Sequence, residues 1–310
     1  MKRIVEAFSP GGLSSFFEIC DTKDGKPIIQ SERIGARGGG FVIDKGVSTR
    51  VEVEQANTNI VNVWINGKLT PEAETSRTVA DVLLSKKSGK YDVTIKHKID
   101  IPVGAGFGSS AGGALGTALA LSKALNLNFT YNQLGRIAHA AEIKCRTGLG
   151  TVGPIMLGGC ILTIEPGGPG VSIIDRIPLT SNYVVVTGTF GPTATKQVLS
   201  SAEKRCEVNR WGKKTLDLII ENPTLENFLL RSLEFAVNTG FMTDNCRRLM
   251  QLAEDAGAIG SAQNMVGEAI HAVIEEENAE KVVETFKQVL PKENILKAKI
   301  DFQGAKLVEI

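Results

Sequence analysis

An excess of charge of either sign is missing from this chain of 310 residues. Its 35 lysines and arginines face 34 aspartates and glutamates, for a net charge of +1. No general attraction to nucleic acid or an anionic membrane follows, and positive charge has to act locally. Cysteine is sparse: Cys20, Cys145, Cys160, Cys206 and Cys246 are scattered along the chain. That spacing argues against a metal knuckle or a redox dithiol and suits a reduced interior. No apolar run reaches the ~18 residues of a membrane helix, and the opening MKRIVEA lacks the long apolar core of a signal peptide. Repeats and low-complexity segments are absent too. The expectation is a soluble cytoplasmic protein, long enough for two domains of ordinary size, with neither nucleic acid nor membrane as partner.

What the chain does have is PVGAGFGSSA at 102–111. In the run before it, Tyr91, Val93, Ile95, His97, Ile99 and Ile101 alternate with polar residues, the period of a half-buried strand that Pro102 ends. Beyond it, Ala111, Ala114, Leu115, Ala118, Leu119 and Leu125 recur at helical spacing, so a helix begins near Ser109 or Ser110. The free N–H groups of that helix point into a glycine loop, an arrangement suited to a polyanion.

Several kinds of glycine loop compete for this segment. A Walker A loop needs a lysine before the hydroxyl pair, and none is present. A dinucleotide fingerprint needs a third glycine where Ser109 stands and an acid about 20 positions on, and both are missing. Gly108, Ser110 and Gly112 satisfy the G-x-S-x-G of a hydrolase elbow, but a loop over 102–107 separates the strand from Gly108, too far for an elbow. The plainest reading is that small residues let the helix pack closely on a sheet.

The pattern resembles the ATP loop of the GHMP kinase superfamily, P-x-x-x-G-L-G-S-S-A. Pro102, Gly106, Gly108, Ser109, Ser110 and Ala111 match, with Phe107 for the usual leucine. Two further segments, SPGGLSSFFEI at 9–19 and GARGGGFVIDKG at 35–46, together with AHAAEIKCRTGLGTV at 138–152, resemble the archaeal pantoate kinases within that superfamily. The likeness spans essentially the whole chain. It implies an α+β, two-domain GHMP kinase fold: an N-terminal domain resembling ribosomal protein S5 over 1–178, and a C-terminal ferredoxin-like domain over 179–310.

By that resemblance, ATP phosphates lie on Pro102, Gly104, Ala105, Gly106, Phe107, Gly108, Ser109, Ser110 and Ala111. Mg2+ is held by Ser110 and Glu142, and the acceptor by loops carrying Gly11, Gly12, Ser14, Ser15, Arg37 and Gly38. The implied reaction carries the γ-phosphoryl group of ATP to the primary hydroxyl of pantoate. The partners are that small molecule and at most a second copy of the chain. Three positions depart from the family: Gly12 replaces a histidine, Ala36 a serine, and Thr151 the aspartate after T-G-L-G. Threonine cannot act as a carboxylate base, which leaves Thr151 an unusual catalytic residue. It also keeps open another small hydroxy acid or amino alcohol as acceptor, and a catalytically silent metabolite sensor. Near the C-terminus Ser261, Met265 and Gly267 resemble the family's third motif. Read from the residues alone, that stretch is a helix cap at Gly257 followed by a glycine-punctuated strand. On the helix over 131–145, Glu142 sits at the border of the apolar stripe, able to reach inward or to pair with Arg146. His139 reads as a structural histidine.

Elsewhere the pattern predicts strands over 3–8, 40–53, 60–65, 160–165, 171–177, 183–186 and 297–308. It predicts helices over 75–85, 193–206, 215–221, 225–237, 244–256 and 279–289. Thr130 and Gln133 form a capping box with a staple between Phe129 and Leu134.

Overall fold

The computed structural model describes residues 2–191 and 201–309. The strands are β1 (Arg3–Cys20), β2 (Thr22–Lys23), β3 (Lys26–Pro27), β4 (Gly35–Gln55), β5 (Ile60–Ile65), β6 (Lys68–Leu69), β7 (Tyr91–Ile99), β8 (Cys160–Glu165), β9 (Ile173–Ile177), β10 (Tyr183–Thr189), β11 (Gly260–Gln263), β12 (Ala269–Glu275), β13 (Ile295–Lys299) and β14 (Lys306–Val308). The described α-helices are α1 (Glu74–Leu84), α2 (Ser109–Ala124), α3 (Tyr131–Cys145), α4 (Val152–Leu157), α5 (Ala202–Glu221), α6 (Leu225–Asn238), α7 (Asp244–Asp255) and α8 (Ala279–Phe286).

Two sheets organise the α+β fold. The first runs β14-β1-β4-β7-β5-β6, with β8 and β9 added beside β4, and the second β11-β12-β10-β13. Alternation along β1, β4 and β7 places Ala7, Val51, Val53, Val93 and Ile95 on one face, where they bury against α1, α2 and α3. The second sheet packs Val184, Val186, Ile270 and Ile274 against α7 and α8. Between these two cores lies a phenylalanine cluster, with the Phe228 ring 5.8 Å from Phe16 and 5.2 Å from Phe41 in edge contacts. Gly39 makes room for it: a Cβ there would stand 2.7 Å from both Phe16 and Phe228.

Helix α2 is apolar on all sides, and beyond its first turn only Lys123 reaches solvent. Gly112 and Gly116 bring it down on the sheet, since a Cβ would lie 2.9 Å from Val47 and 2.3 Å from Thr49. Close packing and phosphate geometry thus coexist in one helix. The capping box of α3 is present in both directions between Thr130 and Gln133.

Several expectations need correction. The segments holding residues 10–15 and 35–40 are not loops: β1 and β4 pair through them, from Arg3 opposite Val53 to Cys20 opposite Gly35. Their glycines mark bends and close approach, with irregularities between Pro10 and Gly11 and between Ser14 and Phe16. A Cβ at Gly40 would lie 1.8 Å from the Leu13 carbonyl. Of the helix expected over 193–206, residues 193–200 lie outside the described residues. The rest joins 215–221 as the single helix α5, running through Gly212 because its backbone lies against Phe17. The strand expected over 297–308 is two, β13 in the second sheet and β14 in the first. Helix α4 and strand β12 went unread, and β12 is buried except for its last residue.

Two histidines are sealed into these layers. His97 bridges Thr49 Oγ1 and Ser76 Oγ at 2.9 Å each, and burial pushes its pKa down to about 4. Burial pushes His271 down to about 3. Both are neutral when folded, whereas the unfolded chain takes up these protons near pH 6.5. The stability they confer is therefore complete above pH 6.5 and lost as pH falls toward 4. At pH 5 the loss is about 2 kcal/mol per histidine. Urea unfolding at pH 7 and 5 should show it, with a smaller drop in His97→Gln.

Candidate active site

The loop between β7 and α2 alternates two kinds of residue. Gly104, Gly106 and Gly108 take left-handed φ values of +77°, +81° and +70°, a conformation that costs glycine little. Ala105 and Phe107 between them are buried, the phenylalanine seated in the core shared with Leu13 and Ile101. Side chains anchor the loop from below while the glycines bare its backbone. Gly108 is the N-cap of α2 and no side chain caps the helix. The first-turn N–H groups therefore remain available to an anion in the loop.

Glu142 lies beside this turn, 1% exposed. Ser110 Oγ donates to its Oε1 at 2.6 Å, and Thr147 Oγ1 donates to the same atom at 2.9 Å. Thr75 Oγ1 in turn lies 3.1 Å from Thr147 Oγ1. Burial raises the carboxyl pKa, opposed by the bonds from Ser110 and Thr147. Arg146, the alternative partner, is instead the exposed left-handed cap of α3. The second carboxylate oxygen leans on Gly148, where a Cβ would come within 2.4 Å. Among the described residues no three His, Cys, Asp or Glu side chains gather as a metal cluster. One desolvated carboxylate and one hydroxyl beside a phosphate loop fit a hard cation that keeps waters and takes phosphate oxygens. Thr75 and Thr147 escaped the sequence reading. The signal was a hydroxyl five residues after Glu142, just past the end of its helix.

The strands expected to carry the acceptor adjoin the same loop. Gly12 N–H donates to the Phe107 carbonyl at 3.1 Å, tying β1 to the phosphate loop. A Cβ on Gly12 would lie 2.9 Å, and one on Gly108 2.8 Å, from the methyl of Thr151. A Cβ on Gly150 would lie 3.4 Å from that of Ala36. The three positions that depart from the family pattern therefore lie together. Thr151 is the N-cap residue of α4, but its side chain makes no capping bond. Gly11 packs on the Lys45 carbonyl and Gly38 on the backbone of Phe16 and Phe17.

Two expected acceptor residues are engaged elsewhere. Ser15 is fully buried, its hydroxyl 2.9 Å from His271 Nε2. Arg37 alternates with Ala36 along β4 and so faces the opposite side. There Nε and Nη2 reach Glu18 Oε2 at 2.8 and 2.6 Å. His139 is buried and bonded to the Ile34 carbonyl at 2.8 Å, a structural role.

The C-terminal half supplies a turn at 264–267. Met265 N–H donates to the Ser14 carbonyl at 2.7 Å. A Cβ on Gly267 would lie 2.7 Å from the Ala105 carbonyl. This turn touches acceptor strand and phosphate loop together, while Ser261 is buried in β11 behind it.

The left-handed glycine loop, the helix it opens and the adjoining Ser–Glu pair agree with the GHMP kinase resemblance. The family model for the GHMP kinases N terminal domain matches residues 75–159. The chain is 30% identical to the pantoate kinase of Methanocaldococcus jannaschii, over 90% of this chain and 96% of that one. It is 31% identical to the pantoate kinase of Thermococcus kodakarensis, over 94% and 93%. A solved structure described as a phosphotransferase related to the CoA biosynthesis pathway superposes with TM-score 0.85 at 29% identity, covering 99% of both chains. The chain belongs to the pantoate kinase family of the GHMP kinases.

Thr147 should matter through Glu142. Thr147→Ala is expected to weaken Mn2+ binding to the protein–nucleotide complex by about tenfold, as for other groups that orient a metal ligand, with Thr147→Ser restoring it. Electron paramagnetic resonance titration of Mn2+ reads this directly, and unchanged affinity in Thr147→Ala would contradict the role.

Proposed function

We propose that the protein transfers the γ-phosphoryl group of ATP to the primary hydroxyl of pantoate, giving 4-phosphopantoate on a route to coenzyme A. The observation that carries this reading is the bond from Gly12 on β1 to Phe107 in the phosphate loop, because it sets an acceptor strand against a donor loop. The amides of 104–111 bind and orient the phosphates, and Ser110 and Glu142 hold the Mg2+. When bound, that ion neutralises charge on the phosphates. We assign the N-terminal domain to 1–178 and the C-terminal domain to 179–310. The break near Leu179 falls between β9 of the first sheet and β10 of the second. Among the described residues no helix is long and apolar enough to cross a membrane, in keeping with a cytoplasmic enzyme and a dissolved substrate.

Thr151 acts in this scheme by shape. Its methyl fills the space left by Gly12 and Gly108, spacing the acceptor strand from the loop, and no carboxylate accepts the acceptor proton there. The loose phosphoryl-transfer transition state tolerates this, because alignment and charge neutralisation carry most of the rate.

A coupled ADP-release assay across pantoate, homoserine and mevalonate tests the assignment. Turnover is expected with pantoate. ATP binding without turnover on any acceptor would instead identify a sensor. Ser110→Ala and Glu142→Ala should each lower turnover by two or more orders of magnitude, on the order expected for lost charge stabilisation, and retained activity in both would remove the metal assignment.

The Thr151 series separates shape from proton transfer. Thr151→Val keeps the methyl and should hold kcat within about threefold. Thr151→Ser keeps the hydroxyl and should lose about tenfold or more, by misalignment. The reverse order would restore a role for the hydroxyl.

A further inference from the structure

A chain of three fully buried polar side chains joins the acceptor strand to the turn at 264–267. Ser15 Oγ lies 2.9 Å from His271 Nε2, and His271 Nδ1 lies 2.6 Å from Asn264 Oδ1. All three residues are sealed from solvent, and Phe41 holds the imidazole from the side at 5.5 Å between ring centres. With Asn264 Oδ1 as acceptor, His271 carries its proton on Nδ1, so Nε2 accepts from the Ser15 hydroxyl. Asn264 Nδ2 is buried without a hydrogen-bond partner, an arrangement that structures rarely keep without a reason.

The turn is held on every side. Its backbone bonds Asn264 N–H to the Ala269 carbonyl at 2.9 Å and Gly267 N–H to the Asn264 carbonyl at 2.8 Å. Gln263 Nε2 ties it to the Gly267 and Phe241 carbonyls at 3.0 Å each. On its outer side it meets the phosphate loop: a Cβ on Gly106 would stand 3.2 Å from both Asn264 Cβ and the Met265 carbonyl. On the other it takes the Ser14 carbonyl through Met265 N–H. A displacement of the glycine loop would therefore press on Asn264, and through His271 on Ser15. Packed interiors transmit such shifts because they have little free volume.

We propose that Ser15, His271 and Asn264 are positioning residues that set the acceptor strand against the ATP loop, so that nucleotide binding aligns the acceptor. None of them touches substrate. The proposal rests on the kinase reading above and adds the part that joins its two half-sites.

The test compares Ser15→Ala, Asn264→Ala and the double variant with Ser76→Ala, which breaks a matched buried bond to His97. Each relay variant should lower kcat for pantoate about 10- to 100-fold through misalignment, with KM for MgATP within about threefold. The double variant should be no worse than the poorer single one, as for residues acting as a unit. Ser76→Ala should lower the melting temperature with kcat within about twofold. Hydrogen exchange supplies a readout free of the acceptor. The non-hydrolysable analogue AMPPCP with Mg2+ should slow exchange over 11–16 in the wild type but not in Ser15→Ala or Asn264→Ala. If the wild type phosphorylates no acceptor, the kinase reading fails and exchange alone decides the relay. Additive losses, an equal kcat loss in Ser76→Ala, or equal protection of 11–16 in all variants would overturn the proposal.

Discussion

Helix α2 runs buried through the protein but opens at a half-exposed turn with no side chain to cap it, and the site is arranged around that fact. Uncapped first-turn amides are a cost wherever water cannot reach them freely. Here the preceding loop, with left-handed glycines at 104, 106 and 108, directs further backbone donors to the same place. A polyanion satisfies them together, and the helix dipole adds to the attraction. Because α2 is gripped by the first sheet and by α1 and α3, these donors cannot swing away to find other partners. The rigidity that makes the cradle costly when empty makes it selective when filled.

Glu142 is the complementary half of that constraint. A carboxylate this deeply buried is disfavoured as an anion, and two hydroxyls on one oxygen offset only part of the cost. The other oxygen is kept clear by the missing side chain of Gly148. Phosphate cradle and carboxylate are both negative-charge problems, one short of an anion and one burdened by its own charge. Phosphates on the amides would answer the first and a divalent cation carried with them would answer the second, so nucleotide and metal are expected to bind as a unit.

Most of this was legible in local pattern. Strand β7, the start of α2 at Ser109 and the capped helix α3 are written in periods and caps that need only a few neighbouring residues. The acceptor strands were harder. Glycines at 11, 12, 35 and 38–40 read as loops, but they lie in paired strands and mark close approach, to the partner strand at 11 and 38–40 and to residues 151 and 167 at 12 and 35. That is a property of the facing residues, absent from the segment itself. Arg37 looked like an anion ligand until strand alternation and Glu18 took it to the other face. Ser15 looked like a substrate hydroxyl, yet His271, 256 residues away, claims it. Long-range pairing decided each of these cases.

The departures at Gly12 and Thr151 gain a physical meaning once they are seen to adjoin, with Ala36 beside the neighbouring Gly150. Taken singly, two of them lose a polar side chain from the family pattern and the third exchanges a carboxylate for a hydroxyl. Taken together, a bulky group removed from position 12 leaves a gap that the Thr151 methyl enters, and Ala36 stays small against Gly150. The exchange conserves packing, which a well-filled interior requires, while it discards a carboxylate. A general base contributes about 10²- to 10⁴-fold where proton transfer is part of the barrier. Phosphoryl transfer through a loose transition state draws more on alignment and neutralised charge, which in the proposed scheme would come from the cradle and from the cation held at Ser110 and Glu142. The part this chain has given up is thus the part its chemistry needs least, and the part it has kept is the spacing between donor loop and acceptor strand.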